Sequence, residues 1–262
     1  MEQSNEKDQE EIYKVKTFPV PFNLGKIKES ISITTNSPSH PCKEQIINQA
    51  FKLHSEGNIS EAAKYYKLLI IQGFKDERVF SNYGVILNDI GNLKEAEIIT
   101  RKAIELKPDF SEAYYNLGII LKDLGNLDEA EIVTRKAIEL KPDFADNYCN
   151  LGNILKDLGN LKEAEIVTRK AIELKPEHAE AHNNLGTILK NLCKPEEAET
   201  SYSKAIELNP IFSTAIMNRW QLLFDQGKFD LALRDSDSCN TKLSRSCSLE
   251  TLYALGKIEE IY

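Results

Sequence analysis

Cysteine is scarce and scattered in this sequence: Cys42, Cys149, Cys193, Cys239 and Cys247 form an odd set of five with no C-x-x-C spacing. That pattern reads as reduced thiols in a cytoplasmic protein, and it argues against a zinc site or a disulfide framework. Positive charge is also thin. The 33 Lys and Arg are outnumbered by 41 Asp and Glu, giving a formal net charge of -8. No basic stripe is present, and neutralising a nucleic-acid backbone requires one, so nucleic acid is not an expected partner. Long apolar runs are missing as well. The opening "MEQSNEKDQEE" carries acids and a single Lys with no apolar stretch behind it, so no signal peptide or membrane span is read and a cytoplasmic location is expected.

Catalytic signatures are absent from the sequence too. It has no G-x-S-x-G, no Gly-rich dinucleotide loop and no Cys-His signature, and the pairs Gly25-Lys26, Gly227-Lys228 and Gly256-Lys257 lack the upstream Gly of a phosphate loop. "HAEAH" sets His178 and His182 four apart, but the Glu that follows the first His in H-E-x-x-H is not there. His182 instead falls in the column of Phe80, Tyr114 and Tyr148 and reads as a packing residue. No enzyme, no metal and no cofactor are expected.

What the chain does have is a repeat. "GNLKEAEIITRKAIELKPDF" from Gly91, "GNLDEAEIVTRKAIELKPDF" from Gly125 and "GNLKEAEIVTRKAIELKPEH" from Gly159 recur every 34 residues. Units are cut at 43–76, 77–110, 111–144, 145–178 and 179–212, with a degenerate sixth over 213–262. Residues 1–42 are left as an N-terminal extension. Its acidic start is expected to be disordered, and Ile12, Val15, Phe18, Phe22, Ile31 and Ile33 favour partial docking of the remainder.

Each unit predicts two antiparallel helices. In the unit from Ser111 the first helix aligns Tyr114, Leu117, Gly118, Leu121 and Leu124, then meets Gly125, which can adopt the left-handed conformation that ends a helix. Asn126 is expected as the next N-cap, forming a capping box with Glu129. The second helix runs to the stop at Pro142. Glu131, Arg135 and Glu139 are read as a solvated outer face. One such pair cannot bury its apolar stripe alone, so the pairs must stack into an all-α solenoid.

The spacing of Tyr148, Leu151, Gly152, Leu155, Ala164, Ala171 and Pro176 resembles the tetratricopeptide repeat. The resemblance implies a right-handed solenoid of helical hairpins, about six repeats here, that binds proteins on a concave groove lined by the first helices. It departs from the family pattern in two ways. Thr100, Thr134 and Thr168 stand where a large side chain such as Tyr66 or Tyr202 is usual, and Cys193-Lys194 replaces the Gly-Asn turn ahead of Pro195.

One column stands out. Asn48, Asn82, Asn116, Asn150, Asn184 and Asn218 hold the same place in every unit, off the core stripe, although Asn costs roughly 0.5 kcal/mol against Ala in a helix interior. Under the resemblance this column faces a ligand. A carboxamide matches the C=O and N–H of an extended peptide, and helices about 10 Å apart would set one Asn per three or so peptide residues. Asp146, Asn153 and Asp157 share the face of Asn150, and Asp89, Lys122, Asp123, Lys156, Asp157 and Lys190 are placed beside the column as further peptide-binding residues. The competing reading makes the column structural, bonding helix to helix. Acidic residues, Glu112, Asp146 and Glu180 among them, outnumber basic ones on or beside this face, so the expected partner is an unidentified, extended protein segment that is not strongly acidic. The column before it, Ser81, Tyr115, Cys149 and Asn183, has no Lys to clamp a chain-terminal carboxylate.

The function expected is a protein-interaction scaffold. Arrays of this kind also precede transferase domains, so the alternative is a targeting arm of a larger multidomain transferase. Self-association through the terminal repeats is a third possibility.

Overall fold

A computed structural model describes residues 43–238, 247–248, 250–253 and 255. The extension 1–42, on which the docking expectation rests, and residues 256–262 of the last unit lie outside the described residues. Among the described residues, twelve α-helices follow one another in pairs: α1 (Lys43–Ser55) and α2 (Ile59–Ile71), α3 (Glu77–Asp89) and α4 (Leu93–Leu106), α5 (Ser111–Asp123) and α6 (Leu127–Leu140), α7 (Ala145–Asp157) and α8 (Leu161–Leu174), α9 (Ala179–Asn191) and α10 (Pro195–Leu208), α11 (Ser213–Asp225) and α12 (Phe229–Ser238). No strand occurs among the described residues. Each odd helix packs most closely on the even helix after it, and each even helix then meets the next odd one. The result is a solenoid of helical hairpins.

The turn inside five of the six hairpins is set by a glycine. Gly125 has φ +80°, its N–H donates to Lys122 O at 2.9 Å, and the N–H of Asn126 donates to Leu121 O at 2.8 Å. This is the double closure that ends a helix through a left-handed residue. It also removes the expected capping box. Asn126 makes no side-chain cap bond, and the other half of the box is lost because the backbone N–H that Glu129 would have taken is already given to Leu121, while Glu129 accepts instead from Arg101 of the preceding repeat at 2.7 Å.

Cys193 repeats this turn without glycine, at φ 57°, with the matching bond from Lys194 N to Leu189 O at 2.9 Å. A side chain in that conformation costs about 1–2 kcal/mol, partly offset by the greater unfolded-state freedom of glycine. Cys193→Gly is therefore expected to stabilise the protein by about 0.5–1 kcal/mol in a chemical denaturation curve. An unchanged or lowered midpoint would contradict the strain.

The helices of a hairpin cross where the side chains are smallest. A Cβ on Gly84, Gly118 or Gly152 would run into the hydroxyl of Thr100, Thr134 or Thr168, and one on Gly186 would lie 2.6 Å from the Tyr202 ring. Ala96, Ala130, Ala164 and Ala198 are fully buried beside these crossings. The three threonines are fully buried too, so they belong to this close contact. Beside Thr134 the room a large ring would occupy is taken from the next repeat: Asn150 Nδ2 comes within 3.1 Å of where a Gly118 Cβ would sit.

The charged outer face does more than meet solvent. Arg101 bridges Glu97 and Glu129, Arg135 bridges Glu131 and Glu163, and Arg169 bridges Glu165 and Glu197, so each guanidinium links its own helix to the next repeat. These side chains are partly exposed, and each pair contributes about 1 kcal/mol at most.

Candidate functional site

Successive odd helices also touch one another directly, α3 with α5, α5 with α7, α7 with α9 and α9 with α11, whereas successive even helices approach one another far less. That asymmetry puts the odd helices on the inside of the bend. The Asn column lies on these helices, and its amides have partners in the preceding repeat. Asn116 Nδ2 donates to Ser81 Oγ at 2.9 Å, Asn184 Nδ2 to Cys149 Sγ at 3.2 Å and Asn218 Nδ2 to Asn183 Oδ1 at 2.9 Å, each reaching the preceding odd helix. Asn150 Nδ2 donates to Thr134 Oγ1 at 3.4 Å and Asn82 Nδ2 to Tyr66 Oη at 3.5 Å, each reaching the preceding even helix. Asn48, on the first helix, is exposed.

Asn150 is therefore not off the core. It is only 7% exposed, and Asn184 is 8% exposed. Helical periodicity within one unit shows only the packing of that hairpin, whereas these residues are covered by the neighbouring repeat. The donor half of the carboxamide thus serves the scaffold. Asn150 Oδ1 has no hydrogen-bond partner among the described residues and is open to solvent in the cleft.

A cleft of about 140 Å³ opens where α5, α7 and α9 converge, lined by Tyr115, Ile119, Lys122, Asp146, Cys149, Asn150, Asn153, His178 and Glu180. Of the twelve residues expected to contact a peptide, it gathers Asn150 and Lys122. The charges beside the column largely answer one another: Lys122 lies 3.5 Å from Asp123, Lys156 lies 3.2 Å from Asp157 and Lys190 lies 3.3 Å from Asp225. Asp123 also accepts from Asn88 at 3.2 Å. Asp89 and Asp157 are exposed and do not line the cleft.

Sequence reasoning does not single out Tyr115, Cys149 or His178 as lining residues, and it places Glu180 only as one acid among several. His178 is detectable as a polar residue in a turn column that holds Asp76, Phe110, Phe144 and Phe212 in the other units. Its Nε2 stands 2.7 Å from Asp146 Oδ1, which ties α9 to α7. His182 Nε2 points elsewhere, to Pro176 O at 2.9 Å, as Tyr148 does to Pro142 O at 3.0 Å. The two histidines therefore do not converge, and no group of three metal-ligating side chains occurs among the described residues.

Electrostatics in the cleft follow from burial and the two carboxylates. Burial, with Asp146 and Glu180 nearby, pushes the Tyr115 phenol up to about 12. Burial and Glu180 likewise push the Cys149 thiol up to about 12, against the opposing hydrogen bond from Asn184. Only the thiolate reacts quickly with alkylating agents. At pH 8, iodoacetamide is expected to label exposed Cys193 in the native protein and Cys149 only after denaturant is added, as read by peptide mass spectrometry. Native labelling of Cys149 at a comparable rate would contradict its burial.

One tetratricopeptide-repeat family model matches residues 111–144 and 179–212, and a second matches 77–110 and 145–178. Together they cover more than half of the sequence in register with the helical pairs. The chain belongs to the tetratricopeptide-repeat family, a family of protein-interaction scaffolds. Among solved structures it is similar to PilF of Pseudomonas aeruginosa, at 20% identity over 70% of this chain and 86% of that one, with a TM-score of 0.62. It is similar also to TTC0263, a thermophilic tetratricopeptide-repeat protein of Thermus thermophilus, at 21% identity over 69% and 99%, TM-score 0.58. YrrB, described as a tetratricopeptide-repeat protein with an unusual peptide-binding site, aligns at 23% identity over 75% and 99%, TM-score 0.52. At these identities the likeness is one of fold. No match is found among curated proteins. No helix among the described residues is long and apolar enough to cross a membrane.

Proposed function

We propose that this protein holds an extended segment of another protein along its odd-helix face, with the Asn column meeting the segment's backbone. The observation that carries the reading is at Asn150: its amide group is fixed by Thr134 while its carbonyl oxygen stays uncommitted in the cleft. A carbonyl held in this way is an acceptor for a peptide N–H. The same division applies at Asn82 and Asn116, and Asn48, Asn184 and Asn218 extend the row. Repeat spacing would give about one contact per three residues of ligand. Each hydrogen bond is worth about 1 kcal/mol net, and ordering the ligand offsets much of the sum, so micromolar affinity is expected. Lys122, Lys156 and Lys190, with Asp89, Asp123 and Asp157, form a mixed rim in which acids keep strongly acidic segments away.

The test is backbone N-methylation. Twelve-residue peptides selected against the purified protein from a random library are resynthesised with single N-methyl groups. Methylation at positions spaced by about three residues should weaken binding roughly fivefold each, the equivalent of one lost hydrogen bond. Uniform tolerance of methylation would overturn the backbone reading.

A further inference from the structure

We infer that the cleft between α5, α7 and α9 is a subsite for an arginine side chain of the bound segment. The inference rests on the odd-helix face being the peptide groove, and it adds a side-chain preference to a backbone-reading surface.

Charge is the first argument. Asp146 and Glu180 both line the cleft, and Lys122 is its one basic residue besides His178. Lys122 has Asp123 within 3.5 Å, so its charge is already partly answered. Glu180 is different. One position of the repeat pattern explains why: Glu112 pairs with Lys141 at 3.4 Å, and the residue standing to Glu180 as Lys141 stands to Glu112 is Asn209. With its cation replaced by a neutral amide, Glu180 makes no ion pair among the described residues. Asp146 gives one oxygen to His178 and keeps the other.

The cleft also holds an acceptor without a protein partner among the described residues. Asn150 is more than nine-tenths buried and lines the same cleft, with Oδ1 uncommitted. Three acceptors, two of them anionic, therefore line a space whose one lysine, Lys122, lies beside Asp123. A guanidinium supplies five N–H donors in a plane and one full positive charge, which suits this set better than a single ammonium point charge. Tyr115 adds an aromatic wall, held edge-on by Phe144 at 5.9 Å between centroids, and guanidinium groups stack readily on such rings. Burial, aided by the same carboxylates, holds the Tyr115 phenol and the Cys149 thiol in their neutral forms, so the site presents no further anion that would need its own partner.

The test uses a ligand of one residue, so it does not depend on the Asn row. Nα-acetyl-arginine N-methylamide and its citrulline counterpart, equal in shape but uncharged, are titrated into the isotope-labelled full chain and followed by NMR. Arginine is expected to shift the Asn150 side-chain amide and Tyr115 ring resonances saturably, with citrulline at least about fivefold weaker. Glu180→Gln, at an exposed position, should reduce arginine affinity by about the same factor without altering the remaining spectrum. Equal binding of the two probes, absence of cleft shifts, or full retention of binding in Glu180→Gln would overturn the proposal. Arginine binding here combined with methylation-tolerant peptides would keep the subsite and reject the backbone row; the reverse pattern would reject the subsite alone.

Discussion

Leu151→Ala is expected to lower unfolding free energy by about 2–5 kcal/mol. Leu151 is 1% exposed and packs with Leu155, Ala164 and Ile188, with Ile138, Val167 and Leu192 closing around it. These neighbours come from α6, α7, α8, α9 and the turn after it, so the side chain belongs to a cluster shared by three successive repeats. Truncation would leave a cavity that no single helix can collapse into without disturbing two interfaces. In a solenoid, stability is close to a sum over repeats and their interfaces, so a defect shared by two interfaces is costly. Equilibrium denaturation checks this. A loss below about 1 kcal/mol would mean that the apolar face of α7 is assigned to the wrong side.

The second large effect concerns the Asn column. Replacing Asn116, Asn150 and Asn184 together with Ala removes donors to Ser81, Thr134 and Cys149. Ala is the better helix former by roughly 0.5 kcal/mol per site, which on its own would stabilise the triple variant. Against this stand about 1 kcal/mol for each lost bond and the cost of leaving buried partners such as the fully enclosed Thr134 hydroxyl unsatisfied, about 1–3 kcal/mol. The second effect is larger. The triple variant is expected to be less stable by about 2–4 kcal/mol while remaining helical. A rise in melting temperature would mean that these amides are not scaffold bonds at all.

The repeat and the hairpins are legible from spacing, and the family through the resemblance that the spacing carries, because each depends on patterns within 34 residues and each signal is restated several times. Gly125 as helix stop and Gly118 and Ala130 as the close crossing follow from single-unit patterns and are present in the structure. What spacing does not show is the partner that the neighbouring repeat supplies. Arg135 reads as one member of an i,i+4 run, yet it also reaches Glu163 in the next unit. Glu129 reads as half of a capping box, yet Arg101 holds it. Asn150 reads as peripheral to its own helix, yet the preceding hairpin helps to bury it.

The site is legible to the same degree and for the same reason. The Asn column is visible as a column, whereas the cleft is made by residues from α5, α7 and α9 that fall at different places in their units: Tyr115 beside its Asn, Asp146 four residues before Asn150, and His178 in a turn. In sequence, His178 pairs with His182 at a spacing that can bind a metal. In the fold its neighbour is Asp146, one repeat earlier.

The central claim, that the Asn row reads the backbone of an extended ligand, is tested most directly on the unmutated chain, since substitution also disturbs the scaffold. The protein is prepared with nitrogen-15 in asparagine alone, and a library-selected twelve-residue peptide is added to saturation. The account predicts that side-chain amide resonances of consecutive members, Asn116, Asn150 and Asn184, shift together and in proportion to occupancy, while those of Asn92, Asn126 and Asn160 in the turns stay in place. Saturable peptide binding that leaves the column's amides unmoved would contradict it, and would leave Asn82, Asn116, Asn150, Asn184 and Asn218 as bonds between repeats.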